Sequence, residues 1–216
     1  MGSIPAISQT ATESSLRWQV IGLCERAATV LLFTAALPVL LVSGLVIGLL
    51  SRRTPWIAHK RVGWQGSTLW MLKLRTMWSG PARWNGWIEY IDDYEGPARK
   101  RAGDPRVPNW FAGFCRRHSI DELPQLWHVI SGEMSLVGPR PMTLAELRRY
   151  YGADAEEILR VKPGIAGLWQ ISGRNRLTYA ERRRMDLKLV RERSAGMYFG
   201  ILLRIIPEVF NGENSW

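Results

Sequence analysis

From Ala27 to Leu50 the chain runs for 24 residues without a charged side chain, AATVLLFTAALPVLLVSGLVIGLL. As a straight α-helix the run reaches roughly 36 Å, more than the ~30 Å hydrocarbon core of a bilayer. It therefore predicts a membrane-embedded helix. A cleaved leader fits poorly: more than twenty residues precede the run, and the SRRTP that follows offers no small-residue cleavage site. Pro38 divides the run into arms of 11 and 12 residues, each about 16–18 Å long, or about half a bilayer. Proline removes a backbone hydrogen bond and kinks a helix, and a sharp kink returns the chain to the side it entered. The run alone leaves a kinked span and a re-entrant helix both open. Arg52, Arg53, Lys60 and Arg61 crowd its C-terminal side, which places the following residues in the cytoplasm under either topology.

Charge is divided as sharply as hydropathy. Residues 1–50 carry Arg17 and Arg26 against Glu13 and Glu25, so the whole net charge of +10 belongs to residues 51–216. A neutral apolar leader on a basic body points to a polyanionic partner: nucleic acid, anionic headgroups or a phosphorylated substrate. Eleven tryptophans suit a membrane–water interface. Cys24 and Cys115 form no C-x-x-C pair, and two cysteines make no disulfide framework, which suits a reducing compartment. His59, His118 and His128 lack metal-ligand spacing and read as packing or surface residues.

Within the body, residues 67–77 (STLWMLKLRTM) alternate as a strand, with Met71, Lys73, Arg75 and Met77 on one face. Residues 79–109 are rich in Gly, Pro and charge and read as loop with one short helix. A helix is expected over Leu144–Arg160, and residues 162–175 (KPGIAGLWQISGRN) form a glycine-rich loop. YAERRRMDLKLVRER reads as a basic helix, and MYFGILLRIIPEVF, with one basic and one acidic residue, as an interfacial one.

The chemistry concentrates in HSIDELPQL, residues 118–126. Ser119 and Glu122 have capping-box spacing, but Pro124 fits better in the first turn of a helix that begins at Asp121. That start predicts an ionised carboxylate at a positive helix end, with Leu123, Leu126, Trp127 and Ile130 as the apolar stripe. Arg140 stands between Pro139 and Pro141, whose fixed φ angles pre-aim a guanidinium suited to bidentate phosphate contacts. Lys73 and Arg75 are expected to engage a diphosphate from one strand face. A Walker-type glycine–lysine loop is absent from the sequence.

KLRTM (73–77), SIDELPQLWHVISGEMSLVGPRP (119–141) and KPGIAGLWQISGRN (162–175) resemble the bacterial sugar transferases, the small monotopic phosphoglycosyl transferases. The likeness runs from about Glu25 to Val209. It implies transfer of a sugar-1-phosphate from a UDP-sugar to undecaprenyl phosphate at the cytoplasmic face of the bacterial inner membrane, with Mg2+. It further implies a re-entrant helix broken at Pro38 and a covalent phosphosugar on Asp121. Glu122 takes the place of the family's following acid, Arg140 of its phosphate-binding arginine and Lys73 of its strand lysine. Gln170 and Arg174 join Lys73, Arg75 and Arg140 in the candidate phosphate and substrate set, and Asp121 and Glu122 are the candidate metal ligands. Compared with the family pattern, Glu25 stands for a base, Thr29 and Tyr198 for acids, His128 for an asparagine and Ala166 for a threonine. GLWQISGRN is more like the galactosyl-phosphate branch than the amino-sugar branches.

The expected fold is α+β and mainly helical, with a re-entrant membrane helix, a small β element and amphipathic interfacial helices. The expected division is an N-terminal segment (1–24), a membrane helix (25–52) and a membrane-associated catalytic domain (53–216). The competing reading is a non-catalytic anchored basic protein that binds nucleic acid or anionic lipid, the Asp–Glu pair serving as a cap. The lack of an aromatic–basic nucleic-acid motif counts against nucleic acid as partner.

Overall fold

A computed structural model describes residues 16–78, 86–92, 104–173 and 176–211. Helix α1 spans Leu16–Ser51 and continues through Pro38. It begins earlier than the uncharged run because Trp18, Val20, Ile21 and Leu23 extend the apolar surface. At 36 residues it is about 54 Å long if straight. One flank of it packs on the body, while Val30, Leu31, Leu41, Val42, Leu45 and Leu49 are exposed.

The body that follows is α+β and mostly helical. Strands β1 (Trp56–Val62) and β2 (Thr68–Leu74) form an antiparallel hairpin, with Ile57 opposite Lys73. β3 (Ile88–Ile91) lies parallel to β1, giving the sheet order β2-β1-β3. β3 falls where a loop is expected, since four residues are too few to show alternation. β2 stops at Leu74, short of the expected Met77.

Helix α2 (Trp110–Arg117) is capped by Asn109, whose side chain accepts from the Ala112 amide at 2.9 Å. A 3₁₀ turn over Ile120–Gln125 leads into α3 (Leu126–Ser131) and β4 (Ser135–Val137). The helix expected over Leu144–Arg160 is broken: α4 (Leu144–Glu146), a π-helical turn at Leu147–Tyr151, a 3₁₀ turn at Gly152–Asp154 and α5 (Ala155–Ile158). Gly152, with φ 51°, interrupts the run. The glycine-rich segment is more ordered than a loop, because it contains β5 (Gly164–Ala166) and a 3₁₀ turn at Leu168–Ile171. α6 (Tyr179–Arg191) starts with a Thr178–Glu181 capping box. α7 (Ala195–Asn211) closes the described chain.

β4 and β5 run parallel, Ser135 opposite Gly164 and Val137 opposite Ala166. Their approach is close enough that a Cβ on Gly164 would overlap the Gly138 amide, and one on Gly138 would overlap the Lys162 carbonyl. Only glycine fits at either place.

The core divides by function. Leu40 and Ile47 of α1 pack with Leu74 and Cys115, joining that long apolar helix to the sheet. Val137, Ala166, Leu189, Tyr198 and Ile201 join β4 and β5 to the last two helices. α1 meets the body along its length. Trp18 stacks edge-on with Tyr198 and lies under Arg193. Glu25 Oε1 accepts from Ser135 Oγ (2.8 Å), from Tyr198 OH (2.7 Å) and from the Leu136 amide. Phe33 meets Trp127, and Gly44 abuts Trp56. Exposed apolar side chains recur on α2 (Trp110, Phe114), on α3 (Trp127) and on α7 (Phe199, Leu203, Ile206).

Asp186 of α6 is 1% exposed and accepts from Tyr151 OH at 2.7 Å, while its other oxygen has no hydrogen-bond partner among the described residues. Burial pushes its carboxyl up from 3.8 to about 7. Between those values the folded form holds a proton that the unfolded chain has released, so stability falls as pH rises and the full cost is present above about pH 7. The Asp186→Asn variant is therefore expected to gain melting temperature relative to wild type as pH rises from about 4 to 7, then to hold a constant difference. Paired melts across that range check this, and a pH-independent difference would contradict it.

Candidate active site

Glu122 is the centre of the described site. Its Oε1 accepts from Lys73 Nζ at 2.9 Å and from Arg140 Nη2 at 2.6 Å. The three side chains are 13%, 14% and 22% exposed for Glu122, Lys73 and Arg140, so water screens the pairs little. Each residue arrives on a different element. Lys73 projects from the edge strand β2, Glu122 from the 3₁₀ turn, and Arg140 from the loop after β4. That loop is held by Gly138 N–H to Ala166 O (3.0 Å), Gly164 N–H to Pro139 O (2.9 Å) and Val62 N–H to Met142 O (2.8 Å). Arg140 is thus aimed by backbone on both sides. The Glu122 charge, opposed by burial and reinforced by Asp121, raises its pKa above the ordinary guanidinium value.

Asp121 is buried at 6% exposure. It does not start an α-helix. Ser119 has φ 55° and makes no capping contact, so the capping box is also absent. Glu122 N–H bonds back to Ser119 O at 3.0 Å in a tight turn, and Pro124, with no N–H of its own, delays regular α-helix until Leu126. Asp121 instead lies in the first turn of the 3₁₀ segment, and the cation that interacts with it is Arg140. On its other side is Cys115, whose thiol is pushed up to about 11 by burial and then by the Asp121 charge, against a hydrogen bond with Ser43. Ser43 belongs to α1 beyond Pro38, so the candidate nucleophile sits against α1.

The remaining expected residues divide. Arg75 lies past the end of β2 and turns away from Lys73. Its Nε donates to Thr54 O (2.8 Å) and its Nη2 to Glu89 on β3 (2.6 Å). It braces the sheet, and the shared face expected for Lys73 and Arg75 is not formed. Gln170 is buried and donates to Ile165 O at 3.0 Å, a bond within the glycine-rich segment itself. Arg174 lies outside the described residues. His128 and Glu133, joined at 2.7 Å beneath β2, are not recognisable as a pair in the sequence, because a five-residue separation carries no known signature. Glu25 and Tyr198 stand in the sequence as separate departures, whereas in the fold they bond to each other.

No group of three or more metal-ligating side chains occurs among the described residues. Mg2+ does not need one, since it commonly takes one or two carboxylates and completes its shell with substrate phosphates and water. The adjacent Asp121 and Glu122 fit that pattern. Glu122 Oε1 is engaged by two cations, so a metal here would fall to Asp121 and the other Glu122 oxygen.

The arrangement offers a buried carboxylate as nucleophile, with an ammonium and a guanidinium placed to take up phosphate charge. If Glu122 holds Lys73 as the geometry indicates, Lys73→Met and Glu122→Gln are coupled. The double variant should be more stable than the sum of the single effects by about 1–3 kcal/mol. Chemical denaturation of the four proteins measures this, and additive effects would deny the coupling.

A family model for bacterial sugar transferases matches residues 18–212. The exopolysaccharide production protein ExoY of Sinorhizobium fredii is 40% identical over 170 residues, covering 73% of this chain and 71% of that protein. The UDP-galactose-lipid carrier transferase of Erwinia amylovora is 37% identical over 194 residues, covering 86% of this chain but 39% of the relative, so the chain spans well under half of that protein. The UDP-glucose:undecaprenyl-phosphate glucose-1-phosphate transferase of Caulobacter vibrioides is 32% identical over 209 residues, covering 93% and 72%. These matches replace the reading of a non-catalytic anchored basic protein. The chain belongs to the bacterial sugar transferase family.

Proposed function

We propose that the protein transfers hexose-1-phosphate from a UDP-sugar to undecaprenyl phosphate through a phosphosugar carried on Asp121. The observation that carries this is the Asp121–Glu122 turn, with Lys73 and Arg140 converging on it beside the membrane helix. In the first step an Asp121 oxygen attacks the sugar-bearing phosphorus. The bond from that phosphorus to the bridging oxygen breaks, and UMP leaves with the bridging oxygen. In the second step an oxygen of undecaprenyl phosphate attacks the same phosphorus, the acyl phosphate bond breaks, and the Asp121 carboxylate is restored. Lys73 and Arg140 exchange part of their hold on Glu122 for the diphosphate, and so stabilise charge on the leaving phosphate. Glu122 keeps both cations positioned before substrate arrives. Mg2+, when bound at the carboxylate pair, supplies further charge neutralisation.

The relatives named for UDP-galactose and UDP-glucose support a hexose donor, and the GLWQISGRN segment favours galactose, with glucose second. Exopolysaccharide or O-antigen assembly is the corresponding process, and the cytoplasmic face of the inner membrane the corresponding place. The Asp121→Asn variant is expected to retain UDP-sugar binding but to lose at least about a thousandfold in turnover. Incubating wild type with UDP-galactose labelled in the sugar, without acceptor, should place the label on Asp121 by mass spectrometry. Turnover by Asp121→Asn near the wild-type rate would rule the mechanism out.

The same reading makes α1 re-entrant. Trp18 and Glu25 near one end, and Gly44 and Ile47 near the other, all touch one charged body. A body of that kind cannot reach both ends of a helix that crosses ~30 Å of hydrocarbon. Exposed apolar residues on α2, α3 and α7 then rest in the interface. In a background with Cys24 and Cys115 replaced by Ser, Thr10→Cys and Lys60→Cys should both label from the cytoplasmic side. Periplasmic labelling at position 10 would refute re-entry.

A further inference from the structure

β2 is an edge strand, so one row of its backbone donors faces away from the sheet. Leu72 uses its outward N–H to reach His128 Nε2 at 3.1 Å. Neighbouring amides of an antiparallel strand alternate in direction, so Lys73 turns its own N–H toward β1. His128 is 5% exposed, and its Nδ1 lies 2.7 Å from Glu133 Oε2, which also accepts from Ser131 Oγ at 2.9 Å. An amide N–H can only donate, so Nε2 is the accepting nitrogen and the ring proton sits on Nδ1, given to Glu133. Those hydrogen bonds hold the Glu133 carboxyl below its ordinary value although burial opposes them.

His128 lies on α3, which continues out of the turn that carries Asp121 and Glu122. Strand and turn are therefore tied at two consecutive strand residues: Leu72 backbone to His128, and Lys73 side chain to Glu122 at 2.9 Å. We infer that His128 is a positioning residue, which sets the place of Lys73 against the Asp121–Glu122 pair through the Leu72 backbone, with Glu133 fixing the required tautomer. The inference deepens the transferase reading of this site and rests on it for its kinetic readout. A lysine that steadies charge on the leaving phosphate loses effect when displaced by about 1 Å, at a cost of up to about a hundredfold. The loss falls mainly on kcat, because the donor's remaining contacts are unchanged.

The test compares His128→Leu, His128→Gln and Glu133→Leu. Glutamine carries an acceptor oxygen at about the reach of Nε2, whereas leucine carries none. His128→Leu should lower kcat for UDP-hexose about 10- to 100-fold with KM within about threefold, Glu133→Leu should fall between it and wild type, and His128→Gln should recover most of the rate. Amide hydrogen exchange at Leu72, which needs no turnover, should be slow in wild type and in His128→Gln and fast in His128→Leu. Wild-type kcat in His128→Leu, no recovery in His128→Gln, or equal Leu72 protection in all variants would each overturn the inference. Should wild type itself transfer no hexose phosphate, the transferase reading fails and the exchange comparison alone decides whether His128 holds the strand. Where His128→Leu does not fold, Glu133→Leu against His128→Gln supplies the same comparison.

Discussion

One carboxylate oxygen, Oε1 of Glu122, draws together an ammonium from an edge strand and a guanidinium from a proline-bracketed loop. Two cations this close repel each other, and in a site mostly shielded from water that repulsion is weakly screened. The sheet, the helix that follows the turn and the β4–β5 pair share apolar packing through Leu69, Met71, Val129, Leu136 and Ile165, and the ion pair is where their charged groups converge. Removing the carboxylate leaves like charges facing each other, whereas removing one cation still leaves a pair. The acid therefore has an architectural duty as well as any chemical one.

How much of this is legible in the sequence follows from what a sequence encodes locally. The apolar run marks out α1 because so long a stretch without charge matches the thickness and chemistry of hydrocarbon. Arg140 is legible because proline fixes φ on both sides of it. Legibility ends where the deciding partner is remote. Arg75 and Lys73 share strand parity, but the strand ends between them and Glu89 from β3 captures the arginine. β1, with the sequence WIAHKRV, alternates too weakly to be recognised and becomes a strand because β2 folds back on it. Asp121 reads as a helix start on composition, yet the αL residue two positions before it and Pro124 after it enforce a tighter turn. His128 has no signature because its partner is a main-chain amide 56 positions away.

The departures from the family pattern at Glu25 and Tyr198 become intelligible once they are seen to touch. Tyr198 is buried, and burial followed by the Glu25 charge raises its pKa, so the phenol keeps its proton and donates it. An acid on α1 and a phenol on α7 make a neutral-to-ion hydrogen bond, strong where water is scarce. Thr29, in the position of an acid, is fully buried and returns its hydroxyl to Glu25 O at 2.7 Å. The N-terminal arm of α1 is consequently secured by hydrogen bonds to β4 and α7, while the C-terminal arm is secured by apolar packing on the sheet.

The abutting glycines at 138 and 164 have a consequence for how this protein can change. Main chain meets main chain there, with no side chain between, so the segment has no small-to-large repacking route by which a later mutation could re-aim Arg140. The direction of Arg140 is inherited as geometry rather than tuned as chemistry. Diversification of donor sugars in such a chain is thereby confined to surfaces around a fixed post, and a laboratory library meant to alter donor choice would waste its members on residues 138–141 and 162–164.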